Sequence, residues 1–141
     1  MQDRYIKKID FVFFNERKIR QAVFEWREGV IRPEVKGGNK ISDPTAVKAI
    51  KNLTLLPSAS IAGISLQYPE TWLVVIDKTY NWCKRQSKLL FESVRKKYLG
   101  DNYKRICIDL HISPTTFNNC INRARMYAAL QAAQLHLIYV D

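Results

Sequence analysis

Five of the eight residues from 115 to 122 are threonine or asparagine: Thr115, Thr116, Asn118, Asn119 and Asn122. Their side chains are short, uncharged and carry both hydrogen-bond donors and acceptors. Such groups suit the base edges of a DNA major groove, where an asparagine bonds adenine in bidentate fashion and a threonine methyl packs on the thymine methyl. Arg123 and Arg125 follow one turn later, at the spacing expected of phosphate contacts. Lys104 and Arg105 precede the cluster, as do Arg95, Lys96 and Lys97, and these with Ser113 are the further candidate phosphate ligands. No acid occurs from residue 110 to residue 140. A helix face built only for solubility would draw on Glu, Lys and Gln, which are better helix formers than Asn and Thr.

Such a face needs elements that hold it outward. A first helix is expected from about Asn102 to Leu110, with Ile106, Cys107 and Leu110 on one side. A three-residue turn, His111-Ile112-Ser113, follows. Ser113 can cap a second helix, and Pro114 suits its first position, where the missing N–H costs nothing. Phe117, Cys120 and Ile121 then face back toward the first helix, and Ile112 is an apolar pivot in the turn. Two short helices around a tight turn are the helix-turn-helix arrangement, here spanning 102–125. Cys107 falls where the two helices would come closest, a place for a small side chain.

The charge distribution singles out the same region. The chain has 141 residues, 47% of them hydrophobic, and a net charge of +10. Residues 83–125 carry ten Lys/Arg against three Asp/Glu, whereas residues 126–141 carry no Lys or Arg and one acid. A concentrated basic field attracts polyanions through counterion release and steering. No apolar run approaches the roughly 18–20 residues of a membrane span, and the start, MQDRYIKKIDFVFF, lacks a signal-peptide cleavage site. No membrane partner and a cytoplasmic location are therefore expected.

Upstream, NERKIRQAVFEWRE (15–28) spaces Ile19, Val23 and Trp26 at helical intervals, with Asn15 as its cap and Gly29 as its stop. A loop and a further helix over SDPTAVKAIKNL, opened by Asp43 and Pro44, follow. Residues 57–68 run from small and polar to apolar, contain Pro57 and Gly63, and read as a linker. A helix from Pro69 carries Trp72, Val75, Ile76, Tyr80 and Cys83 in an apolar stripe. Ser87 can cap the next, which ends near Leu99-Gly100 with Leu90, Phe91 and Val94 inward and Arg95, Lys96 and Lys97 as a basic rim. YIKKIDFVFF shows only weak strand-like alternation. The expected organisation is an N-terminal helical region (1–56), a linker (57–68) and a C-terminal helical domain (69–141), all-α throughout. The uncharged segment MYAALQAAQLHLIYVD continues the second helix of the motif, and its apolar surface should pack on the N-terminal half or on another subunit. A two-fold dimer would set two such helices on symmetric half-sites.

The stretch YKRICIDLHISPTTFNNCINRAR resembles region 4 of sigma-70-type factors, in its Tyr103, Ile106, Leu110, Ile112, Ser113, Thr116, Arg123, Ala124 and Arg125. FESVRKKYLGDN resembles the helix and loop that precede that motif. Cys107 replaces the usual alanine, Phe117 a β-branched residue, and His111 a glycine at a left-handed turn position. Together with the chain's length and its upstream helices, the whole is similar to phage late-operon activators of the RinA/ArpU type. The resemblance implies a DNA-binding transcriptional regulator encoded by a phage or prophage. It implies double-stranded DNA and RNA polymerase as partners, with Thr115, Asn118 and Asn119 at base-facing positions.

Other functions have weaker support. KGGNK lacks the spacing of a phosphate loop, and no HExxH or GxSxG occurs, so no enzyme, catalytic residue or cofactor is expected. Cys107 and His111 are four apart but have no partners to complete a metal site, and the three cysteines read as reduced and buried. A small terminase subunit of a phage packaging machine is the alternative, being basic, helical and ring-forming, but its DNA-reading motif ordinarily precedes its oligomerisation helices.

Overall fold

The computed structural model describes residues 3–29 and 54–139. The expected helix over SDPTAVKAIKNL, with Asp43 and Pro44, lies outside the described residues. The described chain is a predominantly helical bundle with one small β-hairpin. In order the elements are α1 (Asp3–Phe14), α2 (Glu16–Glu28), β1 (Ser58–Ile61), β2 (Ile64–Gln67), α3 (Pro69–Gln86), α4 (Lys88–Tyr98), α5 (Tyr103–Leu110) and α6 (Pro114–Gln134). Among the described residues no helix is long and apolar enough to cross a membrane. The chain divides into two compact units, Met1–Glu16 with Thr71–Asp141, and Arg17–Glu70.

The first unit contains an element that the sequence does not announce. YIKKIDFVFF is helical, not strand-like. Tyr5, Ile9, Val12 and Phe13 recur at helical spacing and are all buried, and α1 packs on α4 and α6. α1 therefore groups with the C-terminal helices. An aromatic cluster joins them. The Phe13 ring lies 5.6 Å from Tyr80 and 5.1 Å from Tyr98, and Phe14 meets Tyr98 edge-on at 4.9 Å. Asn15 does not cap α2; its amide donates to the Phe11 carbonyl and closes α1.

The stripe expected on α3 is in place: Trp72, Val75, Ile76, Tyr80 and Cys83 are buried. Ser87 caps α4, its hydroxyl oxygen accepting from the Leu90 N–H at 3.0 Å. Leu90 and Val94 are buried and Phe91 is half-buried. Gly100 ends α4 at φ +97°, with the Gly100 and Asp101 N–H groups bonded to the Lys97 and Lys96 carbonyls. A left-handed residue is needed there, which glycine adopts at no steric cost.

Burial holds several groups neutral. It pushes the Cys83 thiol up to about 11 and the Tyr80 phenol up to about 12, against the pull of Arg123 and Arg95 respectively. Tyr98 is raised too, first by burial and then by the Asp10 carboxylate that accepts its proton. A raised pKa in the folded state contributes stability that is whole below the unfolded value and is lost as pH climbs toward the folded one. With ordinary values of 9.0 for the thiol and 10.0 for the phenols, the melting temperature should fall as pH rises from 9.0 to about 12. A calorimetric pH series checks this; a flat profile over that window would contradict it.

In the second unit the expected linker is a β-hairpin. Ser58 pairs with Gln67, Ala59 with Leu66, Ser60 with Ser65 and Ile61 with Ile64. The alternation puts Ala59, Ile61, Ile64 and Leu66 on one face and serine and glutamine on the other, and Ile61 and Leu66 are buried. Ala62 (φ +49°) and Gly63 (φ +80°) form the two-residue turn, both left-handed as such a tight hairpin requires. Alanine at the first turn position is an unusual choice, which hides the hairpin from a search for Asn-Gly or Asp-Gly. Glu70 ties this unit together, accepting from the Arg27 guanidinium and, at 2.7 Å, from the Leu56 N–H.

Candidate nucleic-acid interface

The two helices at 102–134 are built as their end residues dictate. The Asn102 side chain accepts from the Lys104 N–H at 2.8 Å and opens α5. α5 stops at His111, which sits in the left-handed region at φ 56°, ψ 46°. The Ile112 N–H reaches back to the Cys107 carbonyl at 3.0 Å, and the His111 N–H to the Ile108 carbonyl at 3.3 Å. These paired bonds satisfy carbonyls that the helix end would otherwise leave bare. His136 ends α6 in the same way, at φ 61°. Both histidines of the chain are thus left-handed helix stops.

Histidine in that conformation strains against its own Cβ, at a cost of roughly 1–2 kcal/mol, which glycine avoids while losing part of the gain to its looser unfolded state. His111→Gly should therefore stabilise the chain by about 1 kcal/mol in a urea titration. A destabilised variant would show that the imidazole makes a contact worth more than the strain.

Ser113 opens α6. Its oxygen accepts from the Thr116 N–H at 3.1 Å, and its hydroxyl donates to Thr116 Oγ1 at 3.1 Å. Pro114 takes the first helical position. Beneath the helix, Phe117, Cys120 and Ile121 are buried, as are Ile106 and Cys107 of α5. α6 then runs on along α1 and α4 over a strip of small residues, Ala124, Ala128, Ala129 and Ala132. This alanine strip is its buried face. The larger apolar residues of the same segment, Met126 and Leu130, point to solvent.

The outer face carries the expected cluster. Thr115, Asn118, Asn119 and Asn122 are exposed together on the first turns of α6, while Thr116 is half-buried and tied to Ser113. Lys104 and Arg105 are exposed on α5, Arg105 near Asp109 at a loose 3.8 Å. The other cations are more committed. Arg95 donates to Glu16 at 2.9 Å and lies over the Tyr80 ring. Lys97 lies over the rings of Phe14 and Tyr98, its pKa lowered by burial and by the nearby Arg125 charge. Lys96 is half-buried beside it in sequence.

Arg125, expected at a phosphate, is held inside the fold. Its Nε and Nη2 donate to the two Asp10 oxygens at 3.0 and 2.7 Å, and Tyr98 donates to the same carboxylate at 2.6 Å. The guanidinium pKa is raised by these partners against the opposing effect of burial. Arg123, two residues earlier and exposed, has its guanidinium over the Trp82 ring at 5.7 Å. Trp82 in turn stacks flat on Tyr127, centroids 4.5 Å apart. Neither Trp82 nor Asp10 is marked in the sequence as a partner of the motif. They lie in α3 and α1, far along the chain from it.

All three cysteines are buried and unpaired. Among the described residues no group of three or more His, Cys, Asp or Glu is placed to hold a metal ion. In comparisons with known proteins, no family model, no curated protein and no solved structure matches this chain.

Proposed function

We propose that this chain is a sequence-specific DNA-binding transcriptional regulator, acting through a helix-turn-helix of the sigma region 4 type formed by α5, the His111-Ser113 turn and α6. The start of α6 enters the major groove and α5 braces it from behind. The observation that carries the reading is the bare outer face of α6. Thr115, Asn118, Asn119 and Asn122 stand exposed over a buried floor of Phe117, Cys120 and Ile121. An amide-rich face fixed on a rigid helix is suited to reading base edges. Lys104, Arg105 and Arg123 are exposed enough to reach phosphates, whereas Arg125 positions α6 through Asp10. The role is non-enzymatic and the setting a phage or prophage. As in the family it resembles, RNA polymerase is a second partner.

Titration of a labelled duplex over a salt series tests the division of roles. Arg123→Ala should weaken binding to every sequence alike and lower the slope of log affinity against log salt by about 1, the share of a single phosphate. A sequence-dependent effect at Arg123 would move that residue from phosphate to base contact. Binding that does not respond to salt would remove DNA as the partner.

A further inference from the structure

Arg123 and Arg125 lie two apart on α6 and are held in opposite ways. Arg125 is held by its rim: Nε and Nη2 both donate to Asp10. Arg123 is held by its face. Its guanidinium lies over the Trp82 ring, 5.7 Å from the centroid, and among the described residues no acceptor takes its N–H groups. A guanidinium is planar, with its donors set around the rim. A contact through the face therefore leaves the rim free for another acceptor.

The indole that makes this contact is itself fixed. Trp82 comes from α3, and its ring lies flat on Tyr127, with centroids 4.5 Å apart and planes 8° from parallel. Tyr127 stands four residues after Arg123, on the same side of α6. Between and beyond them Ala124 and Ala128 are buried, so this part of the helix cannot turn without opening the core. Arg123, Trp82 and Tyr127 thus form one assembly joining α3 to α6, beside the exposed Asn119 and Asn122.

We infer that Trp82 is a positioning residue for DNA: it holds Arg123 by the guanidinium face at the edge of the reading surface, with the rim free for a phosphate oxygen, while Tyr127 braces the indole. The inference rests on the proposed DNA reading and adds to it a residue outside the helix-turn-helix. An arginine loose in solvent gives up side-chain freedom when it grips a phosphate. One already stacked on an indole has given up part of that freedom in the free protein, so more of the contact appears as affinity. The gain cannot exceed the strength of the stack itself, which for an exposed cation–π pair corresponds to about two- to fivefold. Phosphates are common to every sequence, so the effect carries no base preference.

Titration of labelled duplexes through a double-mutant cycle tests it. Trp82→Leu should weaken binding about two- to fivefold on preferred and random DNA alike. The salt slope should hold, because the cation remains. Trp82→Phe keeps a ring face and should recover most of the loss. In an Arg123→Ala background, Trp82→Leu should change nothing further. A merely structural role for Trp82 would cost the same factor with Arg123 or without it. Should Trp82→Leu lose its helix signal, Tyr127→Ala is read in its place, and its loss should depend on Arg123 in the same way. An equal loss in both backgrounds, no loss, or tighter binding would overturn the inference; tighter binding would mean that the indole withholds Arg123 from DNA. Each of these outcomes leaves the DNA reading standing. That reading fails instead if the wild type shows no salt-dependent binding, and the positioning role then falls with it.

Discussion

Asn118→Ala and Asn119→Ala should each cost about 1–3 kcal/mol on the preferred DNA site, or roughly five- to 150-fold in affinity, because each removes a bidentate pair of hydrogen bonds to a base. On random-sequence DNA the same variants should bind almost as the wild type does. The asymmetry follows from where the side chains stand. Both amides are exposed on the outer face of α6 and take no part in the cap, which Ser113 and Thr116 complete between them. Their removal leaves Phe117, Cys120 and Ile121 undisturbed, so the melting temperature should hold, as it does for most surface substitutions. Parallel titrations on selected and random duplexes give the answer. An equal weakening on both would mean that these residues contribute affinity without reading sequence.

Asp10→Ala should have the largest effect on stability. It removes the acceptor of three hydrogen bonds and leaves the Arg125 guanidinium and the Tyr98 hydroxyl without it. Stranding one member of a buried ion pair costs about 3–5 kcal/mol. The Asp10 and Arg125 side chains keep 23% and 19% of their exposure, so water offsets part of that, and about 2–4 kcal/mol is expected. For a chain of this length that lowers the melting temperature by roughly 10 °C. Asp10→Ala/Arg125→Ala should recover part of the deficit, because removing both partners strands fewer groups than removing one. Urea titrations of the three proteins measure the coupling. A double variant less stable than Asp10→Ala would show that Arg125 stabilises by packing alone. The pair also bears on the proposed function, since it fixes α6 to α1 behind the reading face.

The parts legible in the sequence are those governed by local rules. Ser87 and Ser113-Pro114 announce their helices because a cap acts within three residues of itself. The stripes of α3 and of the first half of α6 are read from one periodicity each. What escapes depends on distant partners. In α1 the apolar positions are interleaved with charges and β-branched residues, and their helical spacing stands out only once α4 and α6 cover them. The ion pair of Asp10 with Arg125 joins residues on α1 and α6 that no local pattern links. The hairpin at 58–67 escapes because Ala62 takes a left-handed turn position that sequence rules reserve for Asn, Asp or Gly. The buried face of the long helix escapes for a different reason. Alanine contributes closeness of packing, not bulk, so a search for large apolar residues picks the exposed Leu130 over the buried Ala128.

Selection of bound duplexes from a random pool, at a salt concentration that suppresses non-specific binding, tests base reading by the face of α6 most directly. The wild type should enrich one short sequence motif, and the Asn118→Ala/Asn119→Ala protein, folded and equally basic, should lose that enrichment while still retaining DNA at low salt. A pool that stays random with the wild type, or one enriched identically by both proteins, would contradict it.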